Sequence, residues 1–313
     1  YHALWSCGWS CIIRQILRGT NRMITQHCGA CRIDTVEEST GPFRTPAGIF
    51  AGATDELIAP HLSWMAPDYM DADTQMLLFS FKSFVIRTGR LNILVDACVG
   101  NHKERPGRPQ WHQQNWPWMA NLNAVGLTPE DIDIVMCTHL HIDHVGWNTQ
   151  LVDGRWVPTF PNARYVFSAD EYRHWETLIG GSEVGDNVFN DSVLPVVEAG
   201  RADLVKNDHE IDHGIVLEPT PGHTPGHVAL HLDNGGDTAL FTGDLFHHPL
   251  QIAEPQLSSV VCTDADLSRQ SRYDFLNRYG DSDAMIYPAH FTGTEIGKIV
   301  SAGEGWRFDF VVE

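Results

Sequence analysis

Within Thr138-His139-Leu140-His141-Ile142-Asp143-His144, four side chains able to bind a metal fall inside six residues. They follow directly on Ile132-Asp133-Ile134-Val135-Met136-Cys137, a short run rich in β-branched and apolar residues that predicts a buried strand. The cluster therefore stands where a strand ends and the chain turns. From an extended segment His139 and His141, two apart, point the same way, whereas Asp143 and His144 lie beyond the bend and serve a second direction. Imidazoles mixed with a carboxylate suit zinc, iron or manganese, while calcium takes oxygen ligands alone. A lone loop histidine is ordinarily just solvated. Four such groups at this spacing make a metal site the governing expectation for the fold.

Three later pieces belong with this cluster: Pro221-Gly222-His223-Thr224-Pro225-Gly226-His227, Thr242-Gly243-Asp244 after the apolar Thr238-Ala239-Leu240-Phe241, and Ala289-His290 after Ala284-Met285-Ile286-Tyr287-Pro288. A His-x-His-x-Asp-His stretch after a strand, followed by these pieces in this order, resembles the metallo-β-lactamase-fold hydrolases over roughly residues 75 to 312. Within them the chain is similar to the lactonase and methyl parathion hydrolase branch, through Gly-His-Thr-Pro-Gly-His and the terminal Gly303-Glu304-Gly305-Trp306-Arg307-Phe308. The resemblance implies an α/β fold, an αββα sandwich of two packed mixed β-sheets with helices on the outer faces. It implies two divalent transition-metal ions, zinc foremost, with iron, manganese or cobalt as alternatives. His139, His141 and His223 would hold one ion, and Asp143, His144 and His290 the second. Asp244 would bridge the two. Asp96, which ends the strand Leu91-Asn92-Ile93-Leu94-Val95, matches an aspartate that steadies a metal-bound histidine, although a plain turn aspartate looks the same.

Two divalent ions about 3.5–4 Å apart would share a hydroxide and clamp a substrate oxygen. Metal binding brings the pKa of such a water to around 7, so no serine or cysteine nucleophile is needed. Asp143 and Asp244 are the candidate catalytic residues, Asp143 either orienting the nucleophile or shuttling a proton. His227, four beyond His223, is expected to support the site rather than bind metal. His247 and His248 follow Asp244 closely enough to line a pocket, with ordinary packing the competing reading.

Other classes are disfavoured by particular residues. A flavodiiron-type oxidoreductase usually has glutamate where His141 stands. The dinuclear, carboxylate-bridged pattern of Asp143, His144 and Asp244 argues against a β-lactamase, and a binding module would be expected to have lost ligands. Opening of a lactone or ester is the favoured chemistry, phosphotriester hydrolysis the runner-up, and thioester hydrolysis a weaker alternative. The lactonase branch often carries a pocket tyrosine after the helix opened by Ser168-Ala169-Asp170-Glu171, read here as a capping box. This chain offers Phe189 in that zone and Tyr172 earlier, so a specialised acyl-homoserine lactonase is not the expectation.

Composition narrows the substrate. Lys plus Arg total 21 against 40 Asp plus Glu, a formal charge of −19. A surface this acidic repels phosphate backbones and anionic lipid, so neither nucleic acid nor membrane is an expected partner. The expected partner is a small, neutral, hydrophobic molecule, and a homodimer is compatible with the sequence. Its walls are expected among Trp111, Trp116 and Trp118 on the proline-rich segment after residue 100, and Trp175 and Phe189 near the Ser168 helix. No run of about eighteen apolar residues occurs. Neither a secretory signal nor, with seven cysteines, a disulfide framework is apparent, which points to the cytoplasm.

Residues 1–22 read unlike the rest and are expected to be a non-native or disordered extension, with 23–313 a single hydrolase domain. A competing reading joins Cys7, Cys11, Cys28 and Cys31 into a four-cysteine zinc ribbon, although the first pair is spaced by three residues rather than two. Thr128-Pro129-Glu130-Asp131 predicts a helix start, and 266–279 a helix. Strands are expected near 31–37, 75–86, 163–167, 215–218, 228–232, 238–241 and 306–312.

Overall fold

A computed structural model describes residues 25–178, 187–292 and 296–311. The extension 1–22 with Cys7 and Cys11, the glycines 180, 181 and 185, and Val312 lie outside the described residues.

The apolar runs become two seven-stranded sheets, each with its strands in chain order. The first holds β1 (Thr25–Cys28), β2 (Cys31–Arg44), β3 (Leu77–Arg87), β4 (Asn92–Val95), β5 (Ile134–Met136), β6 (Arg164–Ser168) and β7 (Ala202–Val205). The second holds β8 (Glu210–Asp212), β9 (Ile215–Pro219), β10 (Val228–Asn234), β11 (Asp237–Gly243), β12 (Met285–Pro288), β13 (Gly297–Ala302) and β14 (Gly305–Phe310). In the first sheet β4 to β7 run parallel and the outer hairpins antiparallel; in the second only β11 and β12 are parallel.

The two-residue strand period sorts side chains into layers. Phe84, Ile86, Ile93, Val95 and Met136 of the first sheet meet Leu217, Leu230, Ala239, Phe241 and Tyr287 of the second in the shared core. Their neighbours Val85, Leu94 and Val135 face outward, against Trp118 and Leu122 of helix α1 (Trp118–Ala124). On the far side Leu240 and Ile286 pack on Phe275 and Leu276 of a fifteen-residue helix at Ala265–Tyr279. Strands covered on both faces need apolar residues at every position, which is why they read as continuous runs. The layer order is that of an αββα sandwich.

The expected helix at Thr128 is a single 3₁₀ turn, Pro129–Asp131. Its capping box forms, but Ile132 is already extended and fully buried, because the chain must enter β5 at once. The capping box at Ser168 is only half present. Ser168 Oγ accepts from Glu171 N at 3.1 Å to start helix α2 (Ala169–Leu178), while the Glu171 carboxylate points away to the loops beyond β5 and β9. Cys28 and Cys31 face each other across the β1–β2 turn with both side chains in the inter-sheet core, and Cys7 and Cys11, the other half of the ribbon reading, lie outside the described residues. Trp118, expected on a pocket wall, is fully buried and stacks on Trp147 at 5.2 Å. Its place at the start of α1 turns it into the core.

The segment after β4 is tied down by a buried charge group. Arg105 makes a two-pronged contact with Asp191, at 2.6 and 2.9 Å, while Lys103 donates to Thr149 Oγ1 at 2.7 Å and lies over the Trp156 ring at 3.6 Å. Burial pushes the Lys103 ammonium down to about 7 against the pull of Asp191. Lysine can relieve an uncompensated burial by losing its proton; arginine cannot. Asp191→Asn is therefore expected to destabilise the fold by about 3–5 kcal/mol, and Lys103→Met by clearly less, in urea unfolding. Equal effects, or none, would contradict this assignment.

Candidate metal centre

Parallel neighbours end side by side, and that is how the fold gathers its ligands. Asp96 follows β4 and Thr138-His139 follow β5; Asp244 follows β11 and His290 lies just past β12. The β9–β10 loop adds His223 from the opposite sheet, and Val228 N bonds Thr138 O at 3.0 Å, joining the sheets beside the cluster.

The result is two adjoining groups. His139, His141, His223 and Asp244 offer ligand atoms within 4.8 Å of one another, as do Asp143, His144 and His290. In the first, His139 Nε2 lies 3.0 Å from His141 Nδ1 and 3.2 Å from His223 Nε2, and His223 Nε2 lies 2.7 Å from His141 Nδ1. Nitrogens bound to one tetrahedral zinc stand roughly 3.3 Å apart, given bonds of about 2.0–2.1 Å. Burial, and the neighbouring imidazoles, hold His139 and His141 well below the usual histidine range, and burial brings His223 down to about 4. These rings stay neutral with lone pairs to give. That His141 uses Nδ1 and its partners Nε2 was not visible in the spacing.

The second group has the opposite electrostatics. His144 Nε2 and His290 Nε2 lie 3.1 and 2.9 Å from Asp244 Oδ1, and 3.9 and 3.7 Å from the Asp143 carboxylate. Burial disfavours their charge, but Asp244 and Asp143 outweigh it, with Asp96 adding to the effect at His144, and both pKa values rise. His290 Nδ1 donates to Ser80 O at 3.1 Å, and His144 Nδ1 lies 2.9 Å from Asp96 Oδ2. With those protons on Nδ1, each Nε2 lone pair faces a carboxylate oxygen. Only a cation, proton or metal, reconciles them. Neither His144 Nε2 nor Asp244 Oδ1 has a hydrogen-bond partner among the described residues, which suits metal ligation.

Asp244 is the hinge between the groups. Oδ1 faces His144 and His290, and Oδ2 lies 3.1 Å from His223 and 3.7 Å from His139. Although burial opposes ionisation, His144, His290, His247 and His223 hold its carboxyl well below the usual range. Gly243 before it has φ +49°, and a Cβ there would come within 2.7 Å of Thr138 Oγ1, so glycine alone lets this turn close.

Asp96 and His227 act behind the ligands. Asp96 accepts from Thr138 N at 2.8 Å and from Thr138 Oγ1, which in turn lies 3.1 Å from His139 Nδ1, so one carboxylate steadies a histidine of each group. His227 Nε2 accepts from Asp244 N at 3.0 Å, with Nδ1 against Thr220 Oγ1 at 2.8 Å, which fixes the backbone of Asp244. His247 is buried with Nε2 at 3.3 Å from Asp244 Oδ2, whereas His248 donates to Tyr69 O and stays in the packing.

Of the expected walls, Trp175 meets the His141 ring edge-on at 5.3 Å. Phe189 is buried against Tyr172, whose hydroxyl bonds Glu176. Trp111 packs on Phe43 and Phe81, and Trp116 is half-buried against the same core. Phe79 and Phe81 lie against His290, at 5.4 and 5.2 Å, on a strand expected near 75–86 but not linked by its sequence to the site. Their alternate-face position at residues 79 and 81, level with a ligand in the other sheet, is not local information.

The sequence profile of the Metallo-beta-lactamase superfamily matches residues 82–290. The chain belongs to that superfamily. It is 29% identical over 109 residues to an N-acyl homoserine lactonase of Bacillus sp, covering 35% of this chain and 36% of that one. It is 26% identical over 186 residues to a probable metallo-hydrolase of Mycobacterium tuberculosis, covering 54% and 58%. The matched region thus spans about a third of the curated lactonase. Among solved structures, the hydrolase AbOPH superposes with a TM-score of 0.77 at 21% identity, and the dizinc quorum-quenching lactonase AidC with 0.74 at 16%. Each superposition covers 93% of this chain and 98% of the other, and shows the shared fold.

The raised pKa values at His144 and His290 have a consequence for metal uptake. The neighbouring carboxylates favour protonation of both rings, so metal binding must compete with protons there. Zinc affinity is expected to fall as pH drops from about 8 to about 6, with proton release detectable in weak buffer. Affinity constant across that range would contradict the electrostatics.

Proposed function

We propose that this chain is a metal-dependent hydrolase that opens neutral, hydrophobic lactones or esters at a two-ion centre. The observation that carries the reading is Asp244, whose two oxygens face two separate ligand groups. His139, His141 and His223 would hold one ion, Asp143, His144 and His290 the other, and Asp244 would reach both. The donor set suits zinc first, with iron, manganese or cobalt able to replace it. When bound, two such ions supply a water activated near neutral pH and a Lewis-acid grip on the substrate oxygen.

The chain's own groups do the rest. The carboxylates of Asp96, Asp143 and Asp244 would balance the charge of bound ions. Asp143, its side chain 13% exposed and facing His144 and His290, is assigned either to orient the nucleophile or to shuttle a proton. Trp175 forms an apolar wall beside His141, and His247 presents a ring nitrogen next to Asp244. Apolar walls favour substrates that bury hydrocarbon, and the formal charge of −19 disfavours polyanions. The lactonase names of the curated relatives support the lactone class over the phosphotriester class. A cytoplasmic setting suits the free thiols of Cys28, Cys31, Cys98, Cys137 and Cys262.

A screen of lactones, aryl esters, aryl phosphotriesters, phosphomonoesters and RNA tests the substrate class. Neutral lactones or esters should be turned over best, with phosphotriesters slower and the rate rising with pH through about 7. Trp175→Ala should raise KM for bulky substrates more than it lowers kcat. RNA or a phosphomonoester turned over far faster than every neutral ester would overturn the assignment.

A further inference from the structure

The carboxylate of Glu171 leaves the helix start it was expected to cap and bonds two loops of the metal centre and the indole of Trp175 on its own helix. It is 1% exposed. Oε1 accepts from Leu140 N at 3.0 Å and from the Trp175 indole N–H at 2.6 Å, and Oε2 accepts from Gly226 N at 3.0 Å. Leu140 lies between His139 and His141, and Gly226 lies three residues past His223. One buried anion therefore grips the backbones of both loops that supply the first ligand group, together with the aromatic ring that touches His141.

Three N–H donors converge on two oxygens, an arrangement that calls for a carboxylate. An amide would keep one acceptor oxygen but turn an N–H₂ group toward a backbone N–H, so at least one bond becomes a donor facing a donor. The packing agrees independently. A Cβ on Gly226 would come within 2.2 Å of Glu171 N and 2.6 Å of its Cα, so the β9–β10 loop rests directly on the first turn of α2. The second ligand group is fixed elsewhere, His144 by Asp96 and His290 by the Ser80 carbonyl.

We propose that Glu171 is a positioning residue that sets the geometry of the His139–His141–His223 group and aligns Trp175 with it. This rests on the two-ion reading above. Through its bonds Glu171 fixes the distance between the strand-end loop carrying His139 and His141 and the loop carrying His223, which come from different sheets.

The test is zinc affinity of full-length Glu171→Gln, by competition with a chromophoric chelator, beside the melting temperature of the metal-free protein. One of the two zinc-binding steps should weaken roughly 10–100-fold while the other stays within about threefold. Gly226→Ala, which shifts one loop without changing the carboxylate, should give the same one-sided loss. Two unchanged steps, or two steps weakened together in line with a fall in the metal-free melting temperature, would overturn the proposal in favour of a purely structural role. Failure of both variants to fold would overturn it in the same way. A wild type that binds no zinc would instead sink the two-ion reading itself.

Discussion

A buried carboxylate surrounded by imidazoles is the interaction on which this structure depends. Asp244 is 3% exposed, and its oxygens stand within 3.1 Å of His144, His290 and His223. An anion removed from water this completely is costly unless positive charge meets it. Neutral rings cannot supply that charge, so the site favours a cation, whether a proton on His144 or His290 or a metal ion. The same logic explains why Asp96 and Asp143 can be placed beside it without mutual repulsion breaking the loops apart.

The fold delivers these groups by a simple geometric rule. Adjacent parallel strands end at the same level, so residues just past β4 and β5, and just past β11 and β12, come together without long-range coincidence. The inter-sheet core of Phe84, Val95, Met136, Phe241 and Tyr287 then holds the two sets of strand ends face to face. Stability and function are coupled at this point, because anything that shifts one sheet against the other separates His223 and Asp244 from His139. The bond from Val228 N to Thr138 O and the reach of Glu171 to both loops are the local ties against such a shift.

Much of this was legible in the sequence, for identifiable reasons. Buried strands announce themselves as apolar runs, and β3, β5, β10, β11 and the helix Ala265–Tyr279 fall close to where the pattern placed them. The ligand residues stand in short motifs at strand ends, so His139, His141, Asp143, His144, His223, Asp244 and His290 could be named and are brought together. What could not be read depends on partners distant in the chain. Glu171 had the right spacing for a capping box, and only its neighbours in space, Leu140 and Gly226, divert its carboxylate. Trp118 looked like a wall because it falls in a long segment read as a loop near the metal site, yet it stacks on Trp147 in the core. Phe79 and Phe81 looked like any strand residues until His290 arrived from the other sheet.

Anomalous X-ray diffraction from crystals loaded with zinc tests the two-ion centre most directly. The expected result is two peaks about 3.5–4 Å apart, one against His139, His141 and His223 and one against Asp143, His144 and His290, each touching a different oxygen of Asp244. A single peak with Asp244 bound through one oxygen, or peaks away from these residues, would contradict it.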